Sequence, residues 1–241
     1  MSFRHPGGPD REWVLDDVSF YLPAGQSLGI VGVTGAGKTA LAELLVRLYD
    51  PDRGVISIDE VDLRRLPLEA VRREVGFVPQ ETFLFSDTLR NNVLLGSPDD
   101  GRLERAATVS ALANAIGDLP NGFDTRLGER GINLSGGQKQ RAAIARALVK
   151  DPPIVVLDDA LSAVDGETEA GILEQLRGEL VGKTSIVISH RAAAVRRADA
   201  IIVLDQGRIV ERGRYHDLLA TGGRFADLVR TQVLEAELER M

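Results

Sequence analysis

Eight consecutive residues, Gly32-Val33-Thr34-Gly35-Ala36-Gly37-Lys38-Thr39, have the types and order needed to hold a phosphate. Glycine has no Cβ, so the backbone can wrap an anion closely and use dihedrals that other residues avoid. Successive N–H groups then point inward, and the start of the next helix adds positive potential. Lys38 would reach the outer phosphates of a nucleotide, and Thr39 would offer its hydroxyl to Mg2+. An apolar run precedes the segment and a helix-period stretch follows it. That context separates a phosphate loop from a Gly-rich turn.

A second group lies well downstream. Leu134-Ser135-Gly136-Gly137-Gln138 precedes a helical run, Lys139 to Lys150. Ser135 suits an N-cap, and Gly136 and Gly137 leave backbone N–H groups open at a helix start. Alone, such a segment reads as a capped surface helix.

The elements that must position these groups alternate along the chain. Leu28–Val31 reads as a buried strand, and Lys38–Tyr49 as a helix with Leu41, Leu44, Leu45 and Leu48 on one face. Ile154–Leu157, Ser185–Ile188 and Ile201–Leu204 are further strand-like runs, with helical stretches at 167–180 and about 191–197 between them. This alternation predicts an α/β fold with a largely parallel sheet. Val14–Leu22 and Gly54–Asp59 read as antiparallel strands beside turns at Pro23–Gly25 and Asp52–Gly54. From 88 to 150 helical patterns dominate, which predicts a helical subdomain (88–150) inserted into a core of 1–87 and 151–241. Arg224–Met241 carries Phe225, Leu228, Val229 and Val233 at helical spacing and predicts an amphipathic C-terminal helix.

Composition narrows the function classes. A chain of 241 residues with 44% hydrophobic and 27% charged residues can bury the core of one sizeable domain. A net charge of −7 argues against a nucleic-acid binder, although a nest of N–H groups still binds phosphate on an acidic protein. The absence of cysteine removes disulfides and thiolate metal sites. No apolar run approaches the ~20 residues of a membrane span, and Met1–Pro6 has no signal-peptide core. The expectation is a soluble, cytosolic domain, or a soluble piece of a longer membrane protein.

Together the two glycine-bearing segments resemble those of the ATP-binding cassette family, and Glu81–Phe85 with Gly128–Gly131 resemble segments of its exporters. The resemblance implies a P-loop NTPase (RecA-like) core with an antiparallel β subdomain and an inserted α-helical subdomain. It implies ATP and Mg2+ as cofactors. The Gly32–Ala40 stretch would hold the phosphates, while Ser135, Gly136, Gly137 and Gln138 would clamp ATP held by an opposite subunit. Gln80, after Val78-Pro79, matches the Q-loop glutamine that senses Mg2+ and the attacking water. Asp158, ending Ile154–Leu157, matches the Walker B magnesium carboxylate, and Ser162–Asp165 looks like the D-loop. His190 matches the switch histidine at the γ-phosphate. Glu81–Phe85 and Gly128–Gly131 resemble the exporter Q-loop flank and X-loop, which receive helices of a transmembrane domain. Phe83 and Phe85, if exposed, would floor that groove; otherwise they are core. The implied place is the cytoplasmic face of a membrane.

Some positions depart from the family pattern. His5 stands where exporters usually carry an adenine-stacking tyrosine, which implies a weaker ring contact, with Trp13 as a rival for that role or a packing residue. Ala40 lacks a common second hydroxyl, removing a hydrogen bond worth about 0.5–1.5 kcal/mol. Asp159 replaces the glutamate that serves as general base, and its shorter side chain withdraws the carboxylate from the water it should activate. This pattern resembles one half of a heterodimeric exporter, with a degenerate site of its own and an intact signature serving its partner. A non-hydrolytic, regulatory half-site and a homodimeric ATPase with reduced turnover are the alternatives. A non-transport cassette protein would need a coiled-coil insert or a tandem cassette.

Overall fold

The computed structural model describes residues 1–6, 12–117, 119–131 and 133–238. Strand β1 (Ser27–Val31) leads to helix α1 (Lys38–Leu45), the short hairpin β2 (Ser57–Ile58) and β3 (Val61–Asp62), helix α2 (Leu68–Glu74) and strand β4 (Val75–Val78). Helices α3 (Leu89–Leu94), α4 (Arg102–Val109), α5 (Leu112–Ala115) and α6 (Gly136–Leu148) follow. Then come β5 (Ile154–Asp158), α7 (Gly166–Glu179), β6 (Thr184–Ile188), β7 (Ala200–Asp205), β8 (Arg208–Gly213), α8 (Tyr215–Thr221) and α9 (Arg224–Leu238). Residues 239–241, the end of the expected C-terminal helix, lie outside the described residues. The chain falls into two units, Met1–Arg72 with Thr184–Met241, and Arg73–Lys183.

In the first unit β1 runs between β6 and β7, parallel to both, and β8 pairs antiparallel with β7. A strand enclosed on both faces needs apolar side chains throughout, and Leu28, Ile30 and Val31 are all buried. Gly29 lets this strand lie directly on Val195, whose Cβ would stand 2.6 Å from a Cβ added at 29. Helices α8 and α9 bring Leu218 and Phe225 into one cluster with Val31, Ala192, Val195, Ile201 and Val203. Burying Phe225 completely contributes about 1.5–3 kcal/mol.

The second unit pairs β4 with β5 in parallel, Val75 opposite Ile154 through Val78 opposite Leu157. Helix α6 is its spine, burying Ala142, Ala143, Ile144, Ala145, Ala147 and Leu148. Gly76 allows β4 close to it, since a Cβ there would meet the Ala147 carbonyl at 2.7 Å. Asp151 and Glu179 both pair with Lys183 and Arg105. The Lys183 ammonium holds the Asp151 carboxyl below the usual carboxylate range.

Some expectations need correction. Val14–Leu22 forms no strand; it makes a single bridge, Phe3 to Leu15. Asp17 at φ 53 breaks the extended run, and Arg208 and Arg212 hold the segment through Asp16 and the Ser19 carbonyl. Residues 192–195 form a 3-10 turn rather than a longer helix. Strands β4 and β8 had no clear signal, because Gly76 interrupts the first and the second alternates exposed with half-buried residues.

Candidate functional site

In the first unit β1 delivers the phosphate loop. Gly32 is obligatory, since a Cβ there would lie 2.2 Å from the Leu204 carbonyl oxygen of β7. Gly37, at φ 98, faces the Val14 carbonyl at 2.7 Å, also too close for a Cβ. Gly35, at φ 81, has nothing within 4 Å, so the crest of the loop is clear for a ligand. Val33 and Thr34 are exposed beside it, Ala36 and Ala40 are buried, and Thr39 is half-buried. Lys38 is only 8% exposed, and its Nζ donates to the Gly32 and Val33 carbonyls at 2.8 and 3.0 Å. The Gly207 N–H, at the tip of the β7–β8 hairpin, donates to the Ala36 carbonyl at 3.1 Å. Gly32→Ala is expected to force β1 and β7 apart and abolish nucleotide binding, measured by equilibrium titration with melting followed in parallel. Retained affinity would show that this close approach is dispensable.

His5 is exposed, edge-on to Phe3 and Tyr49 with ring centroids 5.2 and 5.8 Å away. Trp13 lies under the guanidiniums of Arg4 and Arg53, at 4.4 and 4.8 Å. His190 is exposed just beyond the end of β6.

The second unit holds the other site residues. Ser135 caps α6 in a reciprocal box: its Oγ accepts from the Gln138 N–H at 3.2 Å, and Gln138 Oε1 accepts from the Ser135 N–H at 2.9 Å. Gln138 Nε2 donates to the Ala115 carbonyl at 2.7 Å, so its amide is occupied in building the turn. Gly136 and Gly137 pack on Ala163; a Cβ on Gly137 would meet the Ala163 carbonyl at 3.0 Å. No sequence signal marks Gln140, which donates to Ser162 Oγ and accepts from the Ala163 N–H, both at 2.8 Å. It ties the 162–165 loop to α6, and Asp165 then caps α7 by accepting from the Thr168 N–H at 3.0 Å.

Asp158 ends β5 at 1% exposure, and Asp159 follows at 8% exposure with φ 45. Gln80 is exposed beyond the end of β4. Phe83 and Phe85 are exposed, edge to face at 5.1 Å. Their backbone is fixed from beneath, because Arg146 donates to the Phe83 carbonyl and Asn92 bonds both the N–H and the carbonyl of Phe85. The 128–131 turn is held by Asn133, which accepts from the Gly128 N–H and donates to the Arg126 carbonyl.

The sequence profile of the family described as ABC transporter matches residues 15–162. The chain belongs to the ABC transporter family. Two curated ABC relatives, each named ATP-dependent lipid A-core flippase, are 45% identical over 96% of the chain (Alkalilimnicola ehrlichii) and 48% identical over 98% (Aromatoleum aromaticum). The chain spans only 40% and 39% of those proteins. A solved structure of a bacterial Atm1-family ABC exporter with ATP bound superposes with a TM-score of 0.90 at 43% identity. That match covers 96% of this chain and 41% of the other. The mixed α/β architecture is therefore the P-loop ABC ATPase fold, and domains of this family bind ATP with Mg2+ and hydrolyse it.

The residues present fit those cofactors. The glycine-lined loop around Lys38 leaves room for phosphate where a Cβ at Gly35 would otherwise stand. Among the described residues, no group of at least three His, Asp or Glu side chains could hold a metal alone. Within the first unit Thr39 carries a hydroxyl oxygen, a hard donor of the kind Mg2+ takes beside phosphate and water. Also among the described residues, no helix is long and apolar enough to cross a membrane.

Proposed function

We propose that this chain is the nucleotide-binding domain of an ABC exporter and works as one half of a pair of cassettes. ATP with its Mg2+ supplies the phosphoryl chemistry. Lys38 and the 32–37 backbone grip the phosphates, Thr39, Gln80 and Asp158 serve the metal, His190 meets the terminal phosphate, and His5 lies against adenine. Ser135, Gly136 and Gly137 grip nucleotide on the second cassette. Residues 1–87 with 151–241 form the ATPase lobe, and 88–150 the helical lobe.

The observation that carries this reading is the presence of both half-sites in one chain. The loop is tied by Lys38, and Ser135 stands exposed at a helix start, its hydroxyl proton still available to donate after Oγ has accepted from Gln138. The half-exposed Phe83 and Phe85, on a fixed backbone, support docking of a transmembrane domain at the cytoplasmic face of a membrane.

The cassettes are unlike each other in this reading. Asp159 is too short to serve well as general base, whereas the Ser135 turn is intact, so the partner carries glutamate and hydrolyses the ATP that Ser135 clamps. One observation favours a symmetric pair with slower turnover. Asp159 sits at φ 45, where aspartate is tolerated better than glutamate, so the backbone alone accounts for it.

Two variants in the complete assembly test these readings, the first the shared clamp and the second the symmetry of the pair. Ser135→Ala is expected to lower ATP turnover at least about tenfold in either case, through loss of a charge-assisted hydrogen bond. Asp159→Asn is expected to leave turnover nearly unchanged in the unlike pair and to lower it strongly in the symmetric one. An assembly indifferent to Ser135→Ala is not clamped from both sides.

A further inference from the structure

The C-terminal helix α9 carries a polar residue on its buried face. Phe225, Leu228 and Val229 pack on the cluster that supports β1. At about 100° per residue, Gln232 falls within the arc they define and Val233 lies outside it. The structure agrees: Gln232 is half-buried, while Val233, the expected apolar position, is 51% exposed.

Gln232 uses both ends of its amide on one short stretch of backbone. Its Oε1 accepts from the Ala192 N–H at 3.0 Å, and its Nε2 donates to the His190 carbonyl at 2.5 Å. The pairing spans Arg191, so it fixes the two peptide units that flank Arg191, immediately after His190. Two directed hydrogen bonds to one rigid amide hold both position and rotation, which a single contact cannot do.

We propose that Gln232 is a positioning residue for ATP hydrolysis, setting the His190 turn from the C-terminal helix. The inference rests on the role given to His190 above. A side chain that must meet a transferring phosphoryl group needs placement within a fraction of an ångström. The two hydrogen bonds of Gln232 contribute to this placement through the backbone that carries His190. The middle of α9 thereby takes part in positioning His190.

The test compares His190→Ala, Gln232→Met and the double variant in the complete assembly, with Val233→Ala as a control on the exposed side. Gln232→Met keeps the volume and removes both hydrogen bonds. It is expected to lower kcat about tenfold or more with KM for ATP within about twofold, and to speed exchange of the Ala192 amide proton in nucleotide-free protein. Since Gln232 acts through His190, the double variant should be no slower than His190→Ala alone. Additive losses, or a parental rate in Gln232→Met when His190→Ala is inactive, would overturn the clasp and leave the role of His190 standing. A parental rate in His190→Ala removes both.

Discussion

Asp159→Glu is expected to raise ATP turnover at this chain's own nucleotide site by about 100-fold. A general base works within about 2.6–3.2 Å of the proton it takes, and a misplacement of ~1 Å costs ~100-fold. The added methylene advances the carboxylate by roughly that distance. The gain has a local cost. Residue 159 lies at φ 45 and is only 8% exposed, and glutamate tolerates the left-handed region less well than aspartate. Stability should fall by about 1 kcal/mol, lowering Tm by about 2–4 °C for a domain of this size. Steady-state rates at saturating ATP and protein, beside a melting curve, read both effects. An unchanged rate with a lowered Tm would mean that association of the cassettes limits turnover, not the reach of the base.

Lys38→Ala should abolish tight nucleotide binding. In the proposed role the ammonium would supply charge-assisted hydrogen bonds to phosphate, worth about 1.5–3 kcal/mol each. Losing two such bonds weakens binding by at least about 100-fold. The same group also donates to the Gly32 and Val33 carbonyls, so its removal unties the loop it serves. Lys38→Arg keeps the charge but not the volume at a site only 8% exposed, and is expected to rescue little. Titration with fluorescent ATP gives the affinity directly, and an affinity within tenfold of the parent would exclude Lys38 as the principal phosphate contact.

The parts legible in the sequence are those whose chemistry is local. Glycine at 32, 35 and 37 and serine at 135 state a backbone conformation by residue type, and the structure places each in the turn it announces. Strands β1, β5, β6 and β7 are apolar enough to be read alone. Val14–Leu22 has equally apolar composition but is shaped by Asp17 and by arginines from β8, about which local composition is silent. Gln140, Asn92 and Gln232 escaped notice for the same reason. Each is a polar side chain bonded to backbone seven to forty-two residues away. Periodicity registers an apolar stripe; it cannot register an amide that replaces one member of it.

The hydrogen bond from Gly207 to the Ala36 carbonyl also bears on the thermodynamics of recognition. Because the hairpin tip moulds the phosphate loop beforehand, little conformational entropy remains to be lost when a triphosphate arrives. Calorimetry should then show binding dominated by enthalpy. Gly207→Ala, which would drive a Cβ to 2.5 Å from the Val14 carbonyl, should shift the balance by adding an ordering penalty without touching any atom of the ligand.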